Sequence, residues 1–345
     1  MDNANCNYSL TQCPWLELNK LRDCTVLVTG GTGLVGVNLL RCLVSVKDSL
    51  NLRILTLVRN PGKAGKIFKD FADKVELFIG DVMDLPQIDG SVDYVIHGAS
   101  ITSSKAFVEQ PVETILTSVQ GLCNMLELCR EKNVRSMVYL SSMEAYGTIE
   151  HDSLLSEEDV GFLNPLKLRS SYPESKRMCE NLCVAYSSEY NVPVKIARLA
   201  QTFGPGMQPD DKRAVVQFIQ SALAHENISI KASGESARMY LYTFDAATAL
   251  LTILLKGDNG AAYNIANKDS YSSIKELAEK ICSIFSPESR VLVNTGSEEE
   301  RAIYPPDTFL RLDTGALEEL GWKSMVSLED SLRSLRSLAA SMQPM

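Results

Sequence analysis

Apolar residues fall into short unbroken runs separated by segments of helical periodicity. CTVLVT (24–29), RILTLV (53–58), VELFIG (75–80), DYVIHG (93–98), SMVYLSS (136–142) and VKIARLA (194–200) are the runs of the first part of the chain. Apolar and β-branched residues that follow one another without polar alternation predict strands covered on both faces, the condition of a parallel sheet. Residues 34–46, 111–132 and 173–189 carry helical patterns, the second with Ile115, Leu116, Val119, Leu122, Leu126 and Cys129 on one face. Strand and helix in alternation predict right-handed βαβ units, hence an α/β, Rossmann-type doubly wound parallel sheet.

The pattern changes near residue 200. QTFGPGMQPDD (201–211) reads as a loop, 214–226 as a helix, YNIAN (263–267) as a short strand, and 274–285 and 327–342 as amphipathic helices. Leu328, Leu332, Leu335 and Leu338 line the last of these. The expected organisation is an N-terminal extension (1–23), a dinucleotide-binding domain (24–200, with returning pieces at about 238–267), and a smaller mixed substrate domain (201–237 and 268–345).

Composition narrows the function. The chain has 345 residues, 45% hydrophobic and 22% charged, ordinary for a globular protein. No run of about 18 apolar residues predicts a membrane span. The N-terminus lacks the basic start and apolar core of a signal peptide. A net charge of −9 argues against a nucleic-acid partner. The nine cysteines include no CxxC pair, and Cys179 and Cys183 offer only two ligands to a metal. Free buried thiols, no metal and a cytoplasmic location are the expectation.

TVLVTGGTGLVGVNLL (25–40) puts Gly30, Gly33 and Gly36 directly after the first strand and before a helix. Glycine permits the tight turn, the close approach of backbone to a pyrophosphate, and the packing of helix on strand, while the helix N-terminus offers free N–H groups. Gly30, Thr32, Gly33, Leu34, Val35 and Gly36 are the expected cofactor-binding stretch, with Ala99 after the fourth strand. The residue ending the second strand should read the adenosine ribose, an acid favouring NAD and a base the 2′-phosphate of NADP. Arg59 stands there with Lys63 nearby, which favours NADP over NAD. Asp81 is placed to accept from the adenine amino group and Val82 to donate from its backbone.

SSYPESKRMCE (170–180) holds Tyr172 and Lys176 four residues apart, on one face of a helix that Pro173 suits in its first turn. A phenol with a pKa of about 10 is a poor base at neutral pH. A neighbouring ammonium and a positively charged nicotinamide are together expected to lower that value, so that Tyr172 takes a hydroxyl proton while Ser142 holds the same oxygen.

These pieces, in this order, resemble an extended short-chain dehydrogenase/reductase of the NAD-dependent epimerase/dehydratase family, which acts on nucleotide sugars. TGGTGLVG, GDV, HGAS (97–100), SSMEAYG, YPESK, LAQTFGPG (199–206) and GESARMYLYTFDAA (234–247) carry the likeness, from about residue 25 to the LGW of 320–322. The resemblance implies Ser142, Tyr172 and Lys176 as the catalytic triad, Arg238 as a ligand of the substrate diphosphate, and a homodimer packed through 111–132 and 173–189. Gln201 sits where the family often has an Asn near the sugar. Three departures stand out. Arg59 replaces the usual acid, Ser118 falls where many relatives carry Asn, and Phe309 replaces an Arg, leaving Arg311 or Arg301 as a second diphosphate ligand.

Glu144 bears on the reaction. The resemblance implies that 4,6-dehydratases and uronate decarboxylases carry a glutamate two residues after the catalytic Ser or Thr, as Ser142-Met143-Glu144 does, whereas simple 4-epimerases usually do not. A carboxylate near C5 and C6 can serve once C4 is a ketone. Where dehydratases often place an acidic Asp, this chain has Met143, which cannot donate a proton. The expectation is a nucleotide-sugar dehydratase or decarboxylase working by transient C4 oxidation. The alternatives are a 4-epimerase that uses Glu144 to bind sugar, an NADPH-dependent keto-sugar reductase, and a non-catalytic dinucleotide-binding module.

Overall fold

The computed structural model describes residues 9–149, 151–208, 211–293 and 307–342. Seven parallel strands form the main sheet: β1 (Thr25–Thr29), β2 (Arg53–Val58), β3 (Glu76–Ile79), β4 (Tyr94–His97), β5 (Ser136–Ser142), β6 (Val194–Leu199) and β7 (Ala262–Ile265). Their order is β3-β2-β1-β4-β5-β6-β7, a doubly wound sheet whose direction of growth reverses between β1 and β4. Thr29 pairs with Leu57 on one side and His97 on the other, so the carboxyl ends of the central strands are level at that switch point. That is where open α/β sheets bind ligands.

Both faces of the central strands are covered, as their unbroken apolar runs require. Along β1, Val26 and Val28 join one apolar cluster with Leu39, Leu40, Leu43, Leu250 and Leu254, while Leu27 joins the opposite one with Leu122, Met125, Cys179 and Cys183. The edge strand β3 departs from the expectation of burial on both faces: Leu77 is 37% and Ile79 61% exposed. β3 pairs only with β2, so nothing in the sheet covers its outer side.

The first and third helices run longer than their apolar patterns, and the second matches its pattern. α1 spans Leu34–Leu50, α2 Pro111–Lys132 and α3 Ser171–Tyr190. Each stops at a left-handed asparagine, Asn51, Asn133 and Asn191. Asparagine tolerates that conformation better than most residues and ends a helix there. The 214–226 pattern gives a helix that stops at Leu223, and YNIAN contributes to β7, which adds to the main sheet beside β6.

Beyond residue 200, Gln201–Phe203 pairs with Tyr240–Tyr242. A small sheet joins Leu154–Leu155, Phe309–Leu312, Ala237–Arg238 and Ser272–Ser273. A separate apolar cluster gathers Phe218, Ile219, Leu277, Ile281, Leu328 and Leu332. Leu10, Cys13, Leu16 and Leu21, in the stretch read as an extension, are buried in the main cluster. No helix of the described residues is long and apolar enough to cross a membrane.

Candidate active site

The turn after β1 is held by glycine at two points. Gly30 has φ +74, and a Cβ there would lie 2.6 Å from the carbonyl of Gly98 in the loop after β4. A Cβ on Gly36 would lie 2.2 Å from the Gly30 oxygen. Only hydrogens fit, so α1 and the β4 loop close onto the turn. Gly33 caps α1 in extended conformation and donates to Gly30 O at 2.9 Å, and Leu34 and Val35 open the helix beside the half-buried Thr32. The first N–H groups of α1 are thereby free for an anion. This cradle fits a dinucleotide's pyrophosphate.

Thr29 ties the two sides of the cradle together. Its hydroxyl accepts from Ala99 N at 3.2 Å and lies 2.7 Å from His97 Nδ1. His97 is fully buried, and burial pushes its pKa down to about 3, with the Lys176 charge acting the same way. It is a neutral imidazole fixing a loop, a role its place in the HGAS motif did not reveal.

Arg59 stands one residue beyond β2, exposed, with its guanidinium 3.7 Å from the Asp81 carboxylate. Asp81 also accepts from Met83 N at 2.9 Å. Val82 is buried, and its carbonyl accepts from Asn124 Nδ2 at 2.8 Å. Lys63 N donates to Asn60 Oδ1 at 2.9 Å, capping the short helix Pro61–Ile67.

The candidate chemistry lies at the end of β5. Ser142 closes the strand, and its hydroxyl accepts from Glu144 N at 3.2 Å in the turn Met143–Tyr146. Arg177 fastens that turn from α3, donating to the carbonyls of Ala145 at 2.7 Å and Tyr146 at 3.1 Å. The Glu144 carboxylate accepts from Arg169 Nη2 at 2.8 Å. Arg169 sits in turn over the ring of Phe107, 4.7 Å from its centre, and Phe107 stacks on Tyr172 with centroids 4.3 Å apart. Ser142, Glu144 and Tyr172 are thus linked through two residues the sequence reading did not select. Phe107 belongs to a four-residue helix (Ala106–Glu109) too short for a periodic signal. Arg169 lies on a turn (Leu168–Ser170) that precedes α3, and its acidic partner is 25 residues away.

Lys176 is buried on the same helix as Tyr172, but its ammonium is turned elsewhere. It donates to Leu140 O at 2.7 Å and to the Tyr139 phenol at 3.1 Å, and lies 5.6 Å from the Tyr172 ring centre. Burial pushes Lys176 down to about 8, against the pull of Cys179 and Glu180. The expected lowering of the Tyr172 pKa, which also counted the nicotinamide's charge, is not seen in the protein alone. Burial raises that phenol, the Glu144 carboxylate raises it further, and Ser142 and Arg169 oppose them. In the protein alone, desolvation outweighs the charges around the phenol.

In the second half of the chain Gln201 lies in register with Tyr240, two residues after Arg238, which pairs with Ser272 and Leu310. Arg238 Nε and the Tyr240 hydroxyl are buried without a hydrogen-bond partner among the described residues. Burial pushes the Tyr240 phenol up to about 12, with Arg238 opposing. Two buried orphan polar groups side by side point to a polar ligand. Ser118 is buried and bonds Ser100 Oγ at 3.2 Å. Phe309 pairs with Ala237, and the Arg311 guanidinium covers the ring of Tyr271 at 5.5 Å. Arg301 lies outside the described residues. The eight described cysteines are free thiols, and among the described residues no three His, Cys, Asp or Glu side chains gather as a metal requires.

A glycine-cradled parallel sheet with Ser142 at the carboxyl end of β5 and Tyr172 and Lys176 on the adjoining helix α3 defines a dinucleotide-dependent enzyme of the short-chain dehydrogenase/reductase type. The chain belongs to the NAD dependent epimerase/dehydratase family, whose sequence profile matches residues 26–266. It is 31% identical over 317 residues to UDP-glucuronic acid decarboxylase 2 of Arabidopsis thaliana, covering 91% of this chain and 67% of that protein. It is 30% identical over 311 residues to UDP-glucuronic acid decarboxylase 1 of Xenopus tropicalis, covering 89% and 70%. The fold is shared with the UDP-glucose 4-epimerase of Thermotoga maritima, at a TM-score of 0.78 and 21% identity over 92% of this chain and all of that one. It is also shared with the NAD-bound dTDP-glucose 4,6-dehydratase of Bacillus anthracis, at 0.75 and 20% over 93% and 97%.

Proposed function

We propose that this protein decarboxylates a nucleoside-diphosphate-linked hexuronate of the UDP-glucuronate type, by transient oxidation at C4. The observation that carries this is the Ser142-Met143-Glu144 turn. Glu144 stands beside the candidate base, tied to Arg169, while the Met143 side chain is buried in the main apolar cluster. Expelling hydroxide from C6 needs a proton donor, which a thioether cannot be. Expelling CO₂ from C6 needs none. The 30–31% identity to UDP-glucuronic acid decarboxylases over about nine-tenths of the chain supports the same choice.

In this reading Tyr172 removes the C4 hydroxyl proton and Ser142 holds that oxygen by a hydrogen bond. A nicotinamide dinucleotide held at the Gly30–Gly36 turn would supply the acceptor, and later the donor, of the C4 hydride. With C4 a ketone, the C5–C6 bond breaks, CO₂ leaves and the electron pair moves onto the C4 oxygen. Tyr172 and Ser142 donate to that oxygen as its charge develops. C5 then takes a proton from solvent, and Tyr172 gives its own proton back to the C4 oxygen. Lys176 holds a positive charge on the phenol's helix, Arg238 pairs with the diphosphate, and Gln201 faces the sugar.

The test is incubation of purified protein with UDP-glucuronate and NAD(P), with products read by mass spectrometry and proton NMR. A product lighter by one CO₂ supports the reading. An unchanged mass with an altered C4 coupling sinks it in favour of 4-epimerisation, and stoichiometric loss of NADPH sinks it in favour of a reductase.

Two narrower readings go with it. Arg59, where relatives carry an acid, and Lys63 receive the 2′-phosphate, so NADP is preferred to NAD. Val112, Ile115, Leu116, Met178 and Val184 leave an apolar face exposed on α2 and α3, through which two copies pair. Sedimentation velocity showing monomer alone at micromolar concentration would refute the dimer. Free thiols throughout the described chain agree with a cytoplasmic site of action.

A further inference from the structure

Glu144 poses a difficulty for a hexuronate. A C6 carboxylate brought next to a fixed carboxylate meets a like charge, which disfavours binding unless a cation stands between them. The structure supplies one cation there. Arg169 gives Nη2 to Glu144 at 2.8 Å, and no other acceptor among the described residues takes its remaining N–H groups. Its side chain is 43% exposed, so those groups are open to solvent and to an incoming ligand. Its plane is held by the Phe107 ring, 4.7 Å away, and Phe107 is stacked on Tyr172. The guanidinium is therefore fixed relative to the phenol instead of roaming as a surface arginine does. A planar fork with one arm occupied and the others free is suited to hold two carboxylates at once.

We infer that Arg169 is a specificity-determining residue that binds the C6 carboxylate of the sugar, bridging it to Glu144. This rests on the hexuronate reading above and deepens it. It explains why Glu144 and an acidic substrate share one pocket. Its energetic signature follows from the charge flow. The carboxylate charge leaves C6 during decarboxylation, so Arg169 stabilises the bound substrate more than the transition state. Its removal should raise KM and Kd far more than it lowers kcat.

The test compares dissociation constants for UDP-glucuronate and UDP-glucose by titration calorimetry, with full-length protein saturated with NAD(P). Wild type, Arg169→Gln, Arg169→Lys and Glu144→Gln are measured. Arg169→Gln should weaken UDP-glucuronate by roughly 10- to 100-fold, the size of one charge-assisted hydrogen bond, and leave UDP-glucose nearly unchanged. Arg169→Lys should recover part of the preference. Glu144→Gln should tighten UDP-glucuronate, because it removes the like charge and frees the guanidinium. A residue that merely positions Glu144 would make the Gln variants at 144 and 169 act alike, so opposite directions are the signature. Equal weakening of both sugars by Arg169→Gln, or no weakening, overturns the inference, as does a wild type that binds both sugars equally. The two readings fail separately. Release of CO₂ with an unaffected Arg169→Gln sinks the carboxylate contact alone. An Arg169-dependent preference without CO₂ release sinks decarboxylation alone.

Discussion

Phe107 lies flat against Tyr172, with ring centroids 4.3 Å apart and planes 11° from parallel. The candidate base is thus oriented by a residue that is itself buried and pinned: its carbonyl accepts from Ser171 Oγ at 2.9 Å and its far face carries Arg169. Replacing it with leucine keeps an apolar side chain there but removes the flat support. Phe107→Leu is expected to lower kcat roughly 10- to 100-fold, the cost of a small misplacement at the reacting oxygen. UDP affinity should stay unchanged, since the nucleotide contacts lie elsewhere. Steady-state kinetics beside a UDP titration checks it; a loss confined to KM would mean that the stack serves binding and not the phenol.

The glycine cradle gives a second expectation. A methyl on Gly36 would lie 2.2 Å from Gly30 O and 2.7 Å from Gly31 Cα, both backbone atoms that cannot swing aside. Gly36→Ala must push α1 away from β1. Unfolding in urea should show a loss of about 1–3 kcal/mol, as for other overpacked sites. The dinucleotide dissociation constant should rise roughly tenfold or more, because the helix N-terminus no longer meets the pyrophosphate. A variant with unchanged cofactor affinity would show that the close packing serves the fold alone.

The order of strands and helices was legible because each central strand is covered on both faces and so carries an unbroken apolar run. The Gly30–Gly36 turn and the Tyr172–Lys176 spacing were legible because their residues are close in sequence. What escaped is what depends on contacts across the chain. β3 reads as a buried strand from VELFIG, yet its place at the sheet edge leaves Ile79 61% exposed. Leu154–Leu155, Ala237–Arg238 and Ser272–Ser273 are too short to show any period, and only their pairing makes a sheet. Glu144 was conspicuous, but its partner Arg169 was not. A single arginine before a helix has many possible uses, and only the fold brings it to the carboxylate.

The buried imidazole of His97 predicts a pH dependence of stability. Its folded pKa, lowered to about 3, lies below the ordinary value of 6.5. Between those values the unfolded chain binds a proton that the folded protein refuses, so unfolding gains as pH falls. The contribution is fully present above pH 6.5 and is lost as pH drops through the window towards 3. The slope is roughly 1.4 kcal/mol per pH unit at most. His97→Gln keeps an acceptor for Thr29 and removes the titration. Its unfolding free energy, measured in urea at pH 4.5 and pH 7, should change less than that of the wild type over the same interval. Parallel curves for the two proteins would mean that His97 becomes charged without cost, and that the buried neutral ring is not its state.

Arg59 gives the sharpest cofactor expectation. It follows β2 directly, at the place where an acidic side chain would accept from both ribose hydroxyls. Its contact with Asp81 spans 3.7 Å between two exposed groups, a pair of little strength that leaves the guanidinium available to a stronger anion. A 2′-phosphate offers more charge and acceptor oxygens in a fork's geometry than Asp81 does. Wild type should therefore bind NADP⁺ more tightly than NAD⁺. Arg59→Asp should reverse the order twice over, by removing the phosphate's partner and by adding a charge that repels it. The ratio of the two dissociation constants is expected to move by roughly 100-fold or more, with most of the change in NADP⁺ and a smaller gain for NAD⁺. Fluorescence titration of both cofactors into both proteins measures it. An unchanged ratio would place Arg59 in solvent beside an NAD site, and Lys63 would then have no anion to meet.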